Sequence, residues 1–178
     1  MRESRQSAVG SRQSEAVSPL PSPLLPGKGS VREGPGVRFH KEAQLAAQLT
    51  DKAREFLGEK RFAVLATINK DGSPQQTVMW YELQGDEIMM NTAQGRLKDR
   101  NLTRDPRISI CIEDGQRFVT LRGPVTLNDA VETAQADVAR LVVRYTGPER
   151  AKESTPNFRK EHRITLRMKI EGVLERGF

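Results

Sequence analysis

A mainly β fold with a few flanking helices, a small barrel or sandwich, is what this 178-residue sequence predicts. Three observations carry that expectation. Six short runs of strand-forming residues follow one another closely, turn residues separate them where hairpins need them, and only two long stretches show a helical spacing of apolar residues. Hairpin-length links leave little room for parallel crossovers, so the sheet is expected to be antiparallel.

Residues 1–40 stand apart from the rest. They are rich in Ser, Pro, Gly and Arg, show no hydrophobic period, and cannot bury enough apolar surface to offset the entropy of ordering, so they read as a disordered tail. The tail is either a targeting or partner-binding segment or a dispensable extension. It also holds six Lys/Arg and three Asp/Glu, half of the formal net charge of +6. The folded part, residues 41–178, is therefore only mildly basic, which names no polyanionic partner.

The elements follow in order. From Lys41 to Gly58 the apolar residues Leu45, Leu49, Ala53, Phe56 and Leu57 fall on one helical face, with Gly58 in place to end it. Phe62 to Ile68 is almost wholly apolar and reads as a strand. The turn Asn69-Lys70-Asp71-Gly72-Ser73-Pro74 leads to a second run, Gln75 to Leu83, and Gly85 separates that from Glu87 to Asn91. A short basic helix is expected to start near Arg96 to Lys98. Arg107 to Glu113 and Arg117 to Leu127 form the next hairpin, with Gly123-Pro124 as a bulge or edge. Val131, Ala134, Val138, Leu141 and Tyr145 set out a second amphipathic helix, a Pro/Gly-containing loop follows, and Glu161 to Ile170 alternates as the last strand. That last strand has one wet face. Phe62 to Ile68 and Gln75 to Tyr81 are apolar on both faces, so a second copy of the chain or a flat ligand is expected to cover the outer one.

Several function classes fall away. Cys111 is the only cysteine and the two histidines, His40 and His162, are far apart, so no disulfide, Cys-based zinc site or other metal centre is expected, and the compartment reads as reducing. No apolar run reaches the roughly 18 to 20 residues of a membrane span, and no secretory signal is evident, so a cytoplasmic protein with no membrane partner is the expectation. Aromatic residues make up 5% of the chain without basic-aromatic alternation, which argues against nucleic acid. Neither a dinucleotide fingerprint, a P-loop, paired carboxylates nor a Ser/His/Asp order is present, and no catalytic residue can be named. The chemistry is expected to come from a cofactor.

Three features point that way. In "NTAQGRLKDRNLTRDPRISICI" a strand end and Gly95 precede a helix start, whose free N–H groups beside Arg96 and Lys98 suit a phosphate; Asn101 either donates to the same anion or caps locally, while Arg100 and Arg104 fit a solvated face. In "GSPQQTVMWY" the polar Gln75, Gln76 and Thr77 adjoin Trp80, a wall suited to a heteroaromatic ring, although Met79 and Trp80 also read as ordinary packing. Ser109 and Cys111, small residues between isoleucines, permit close approach of a ligand or another sheet, or simply tight packing.

The run "FAVLATINKDGSPQQTVMWYELQGDEIMMNTAQGRLKDRNLTRDPRISICIED" resembles the pyridoxamine-phosphate-oxidase-like flavin/deazaflavin oxidoreductases, in particular their coenzyme F-420-dependent branch. The likeness rests on "LATI" with "DGSPQ", on "MWY", on "GRLKDRNLTRDPRISI" and on the closing "RITLRMKIEGV", and spans roughly Leu45 to Val173. Arg96-Leu97-Lys98 departs from that family's commoner Ser/Thr-x-Lys. The resemblance implies an FMN-binding-type split β-barrel of Greek-key form, assembled as a homodimer with two cofactor sites at the subunit interface. Arg96 and Lys98 would hold the cofactor phosphate, Asn101 would support that region, and Thr67, Gln76, Thr77 and Met79 would border the ring. The implied function is an oxidoreductase passing hydride from reduced F-420 to an electron-poor small molecule, with the proton from solvent or Tyr81. An FMN-dependent oxidase or reductase, or a carrier without turnover, is the alternative.

Overall fold

The computed structural model describes residues 48–178. The expected tail, and the first part of the helix expected from Lys41, lie outside the described residues. Helix α1 spans Asp51–Gly58 and begins later than the apolar spacing suggested. The reason is Thr50, which is extended and caps the helix by accepting from the Ala53 N–H at 3.2 Å, so Leu49 is buried but precedes the helix. Thr50 is itself held by Glu175, whose carboxylate accepts from its hydroxyl at 2.7 Å.

Strand β1 is Ala63–Ile68, β2 Pro74–Met79, β3 Tyr81–Gln84 and β4 Glu87–Ala93. Helix α2 is Leu97–Arg104, then come β5, Arg107–Glu113, and β6, Phe118–Asn128. Helices α3, Val131–Thr146, and α4, Pro148–Arg159, precede β7, Arg163–Lys169, and β8, Gly172–Arg176. All strand pairs are antiparallel, in the order β2-β1-β5-β6-β7-β4-β3 with β8 added on β6. The two ends of that path, β2 and β3, are consecutive in the chain and separated only by Trp80. The sheet therefore curls until its ends meet through the chain itself, a barrel split between β2 and β3.

Three expectations change. The single run expected from Gln75 to Leu83 is two strands that belong to different halves of the barrel. The expected Pro/Gly loop after α3 is helix α4: Gly147, at φ +85, ends α3, and Pro148 then occupies the first helical position, where its missing N–H costs nothing. The chain also continues past the last expected strand into β8. Gly123 is where β6 passes from β5 and β8 to β7, and a Cβ there would stand 1.9 Å from the Lys169 carbonyl oxygen, so only glycine allows that crossing.

The core fills the barrel. Leu65, Ile110, Leu121 and Val173 form one inward row across β1, β5, β6 and β8, and Ile88, Met90, Leu166 and Met168 close the opposite wall. Phe56 and Leu57 of α1 plug one end, and Leu102 of α2 reaches the same core.

Candidate functional site

The start of α2 is built by a turn and a cap. After β4 the chain reverses at Gly95, at φ +80, a conformation that glycine adopts without strain. Its N–H donates to the Asp99 carboxylate at 2.7 Å, so the acidic residue in the first helical turn is occupied in holding the turn. Arg96 is the extended N-cap residue, and its side chain makes no capping bond. The first helical bond runs from the Arg100 N–H to the Arg96 carbonyl at 3.1 Å. The backbone N–H groups of Leu97, Lys98 and Asp99 thus have no partner within the helix, and they sit at its positive end.

Lys98 is the unusual group there. Its side chain lies in a residue only 8% exposed, yet no hydrogen-bond partner and no carboxylate within 4.0 Å is found for it among the described residues. Burial pulls its pKa below the ordinary lysine value, and the nearby charges of Arg96 and Arg163 push in the same direction. A partly desolvated ammonium beside like charges is costly, and an oxyanion next to it would relieve that cost. The donor set therefore fits the phosphate of a cofactor: a cation, a second cation at the N-cap and free amides.

Asn101 and Thr67 fix that end of the helix in place. Asn101 Nδ2 donates to Thr67 Oγ1 at 3.1 Å and to Asn69 Oδ1 at 2.9 Å, and Thr67 in turn donates to Gln75 Oε1 at 2.8 Å. Both Asn101 amide protons are thereby used, so it supports the region and does not donate to an anion. Arg100 and Arg104 are both exposed, as expected, and Arg104 in addition donates to the Ile68 carbonyl and to Asn101 Oδ1.

Register divides the residues expected at the ring. Gln76 lies on the outer face in a row with Ala66, Ser109 and Arg122, beside a second row of Val78, Val64, Cys111, Thr120 and Leu174. A groove of about 310 Å³ runs over Ala66, Ile68, Pro74 and Ser109 on this face. Thr77 and Met79 point the other way: Thr77 shares the row of Leu65 at the half-exposed edge of the barrel, and Met79 is buried in the core. Trp80 is not brought to the group. Its ring stacks on Tyr145 at 5.0 Å and 9°, beneath α3 and α4, with Phe158 at 6.3 Å. Tyr81 is fully buried, its hydroxyl donates to the Leu57 carbonyl at 3.1 Å, and burial drives its pKa far up, so it offers no proton to an open site.

Sequence reasoning missed Glu161 and Arg163. Arg163 is buried, donating through Nε to Asn91 Oδ1 at 2.8 Å and through Nη1 to Glu161 at 2.5 Å, and Glu161 also accepts from Arg96 at 3.1 Å. The available signal was "EHRITLR", whose alternation puts Arg163 with Thr165 and Arg167 on the face expected to be wet; α3 covers that face instead, with Asp137 accepting from Thr165 and Arg167. Nothing in that spacing reveals that this face meets the start of α2.

Comparison with known proteins bears on the family and the fold. A family model described as pyridoxamine 5'-phosphate oxidase matches residues 49–174. A curated relative, an F420H(2)-dependent biliverdin reductase of Mycobacterium tuberculosis, is 27% identical over 129 residues, 71% of this chain and 88% of the relative. Among solved structures, a conserved hypothetical protein of Mycobacterium tuberculosis superposes with a TM-score of 0.63 at 29% identity, covering 74% of this chain and 87% of the other. An F420 reductase shares the fold, with a TM-score of 0.62 at 23% identity over 71% of this chain and 98% of that one.

Proposed function

The chain belongs to the pyridoxamine 5'-phosphate oxidase family, and from that premise we propose that it is an oxidoreductase that binds reduced coenzyme F-420 and delivers hydride to an electron-poor organic acceptor. The observation that carries the reading is Lys98, a largely buried lysine at a helix N-terminus whose ammonium has no counter-ion among the described residues. The choice of F-420 draws its support from the relative named as an F420H(2)-dependent reductase.

When bound, the deazaflavin ring supplies the hydride. The chain does the rest. Lys98, Arg96 and the first amides of α2 hold the phosphate; Thr67 and Asn101 keep that end of α2 against β1. Gln76 offers a hydrogen-bonding edge on the outer face, where Ala66 and Ser109 leave room for a flat ring. With Tyr81 buried, the proton comes from solvent. Residues 41–178 form the binding domain in this reading, and residues 1–40 lie outside it.

A second copy of the chain completes the site. Phe62, Val78 and Leu174 are 58%, 62% and 46% exposed on that face, and a homodimer that covers them would exclude water from a hydride-transfer site. Among the described residues no helix is long and apolar enough to cross a membrane. A cytoplasmic setting suits both the single cysteine and a reduced cofactor.

The same cradle takes FMN, whose phosphate and three-ring plane make the same demands, and the family description favours keeping that reading. Titration of the purified protein with F-420 and FMN side by side decides between them. A yellow protein with a flavin spectrum as purified, and no affinity for F-420, overturns the deazaflavin assignment. Full affinity for either cofactor in an Arg96→Ala, Lys98→Ala double variant overturns the phosphate cradle.

A further inference from the structure

We propose that Glu161 is an exchangeable counter-ion of the phosphate cradle, pairing with Arg96 while no phosphate is held and giving Arg96 up to the phosphate on binding. This rests on the cradle reading and adds its regulation. The two arms of Glu161 are unequal. The Arg163 arm is fixed: that guanidinium is 4% exposed, bonded to Asn91 as well as Glu161, and seated 5.3 Å from the Phe158 ring centroid. The Arg96 arm is loose: its side chain is 48% exposed, and Glu161 Oε1 at 3.1 Å is its only hydrogen-bond partner among the described residues.

The backbone that carries Glu161 is pinned where the exchange needs it. Gln135 of α3 donates to the Glu161 carbonyl at 3.2 Å, and the Gln94 N–H donates to the His162 carbonyl at 2.9 Å, next to the Gly95 turn. Glu161 cannot follow Arg96 if the guanidinium turns toward an anion above α2. Lys98 has no such partner among the described residues and stays with the cradle. Phosphate and Glu161 thus compete for one guanidinium, and the carboxylate that pairs with Arg96 weakens phosphate binding.

The opposite expectation belongs to a merely structural Glu161, whose loss would free Arg96 and weaken binding. Inorganic phosphate titrated into the ¹⁵N-labelled full chain, read on the amides of Leu97, Lys98 and Asp99, separates the two. Glu161→Gln is expected to tighten phosphate about two- to fivefold, the size a half-exposed ion pair commands, and Arg96→Gln in the same chain is expected to abolish that gain. Unchanged or weaker binding in Glu161→Gln, with binding lost in Lys98→Ala, overturns the counter-ion role and leaves the cradle standing. Undiminished binding in Lys98→Ala, or no saturable shift in the wild type, overturns the cradle itself. Should Glu161→Gln fail to fold, the ¹³C resonance of the Glu161 carboxylate in the wild type serves: it is expected to move on phosphate addition, and a fixed resonance overturns the exchange.

Discussion

Asn101 on α2 and Thr67 on β1 are joined by a 3.1 Å hydrogen bond between two buried side chains, 34 residues apart in sequence. The bond converts an eight-residue helix, too short to be stable alone, into a fixed part of the barrel. Asn101→Leu would leave Thr67 and Asn69 without their shared donor. The expected cost is about 1–3 kcal/mol in denaturant unfolding, because a buried polar group left unpaired pays its full desolvation penalty. Cofactor affinity should fall with it, since the amides of the first turn are no longer held in place. Unchanged stability would show that the tie is dispensable.

Lys98 should behave in the opposite sense for stability and for binding. Lys98→Met keeps the buried stem and removes a charge with no protein partner, so the free protein is expected to be as stable as the wild type or more so by up to about 1 kcal/mol. Cofactor affinity should drop by about 1.5–3 kcal/mol, the range of a hydrogen bond to a charged group. The pH dependence follows from the direction of the shift. Burial lowers the folded-state pKa, so the unfolded chain binds more protons wherever the two differ. The penalty is fully present below the folded pKa and is relieved as pH rises toward the ordinary lysine value, so wild type and Lys98→Met should converge in stability at alkaline pH. Thermal melts of both proteins across that range check it.

Trp80 should matter for folding and not for the cofactor. Its stack on Tyr145 lies between the β2/β3 break and α3, and such a pair contributes about 0.5–1.5 kcal/mol beyond the area it buries. Trp80→Leu is expected to lower the melting temperature and leave F-420 or FMN affinity within twofold of the wild type. A large loss of affinity without loss of stability would return Trp80 to the ring wall.

These two residues show how far the sequence could be read. Arg96-Leu97-Lys98 after Gly95 was legible because a helix start is written locally, in a glycine turn followed by an N-cap. Trp80 was not, because alternation assigns faces of a strand but cannot show that the strand ends at Met79 and resumes at Tyr81 in the other half of the barrel. Thr67 and Thr77 were placed on the right strands, yet their inward direction depends on which face the barrel closes over. Glu161 depends on contacts across 65 residues of chain, which no local pattern records.

Asp105 offers a test of the turn into β5. The Arg107 guanidinium donates to its carboxylate at 2.9 and 2.7 Å, and the Arg107 N–H adds a third bond, holding the pKa at about 2. A depressed carboxylate contributes stability present above its unfolded value and lost as pH falls through the folded one. Its partner Arg107 is 76% exposed and the pair is screened by solvent, so the effect belongs to local order and not to global stability. The Asp105 carboxylate ¹³C midpoint is expected near 2 in the wild type and near the ordinary aspartate value in Arg107→Ala.

The outer face decides the assembly. Val78 lies in a row with Val64, Cys111, Thr120 and Leu174, and it is 62% exposed in the single chain, an apolar band that an isolated barrel would leave in water. If a second copy covers it, Val78→Lys introduces a charge that the partner must desolvate at the centre of the contact. If nothing covers it, the same change is an exposed surface substitution worth no more than about 0.5 kcal/mol. Light scattering after size exclusion separates these cases: a dimeric wild type and a monomeric, folded Val78→Lys are expected. Since the dimer is proposed to enclose the ring, the monomer should also lose most of its cofactor affinity while keeping the phosphate response of the α2 amides. A monomeric wild type with full cofactor affinity would move the whole site onto one chain.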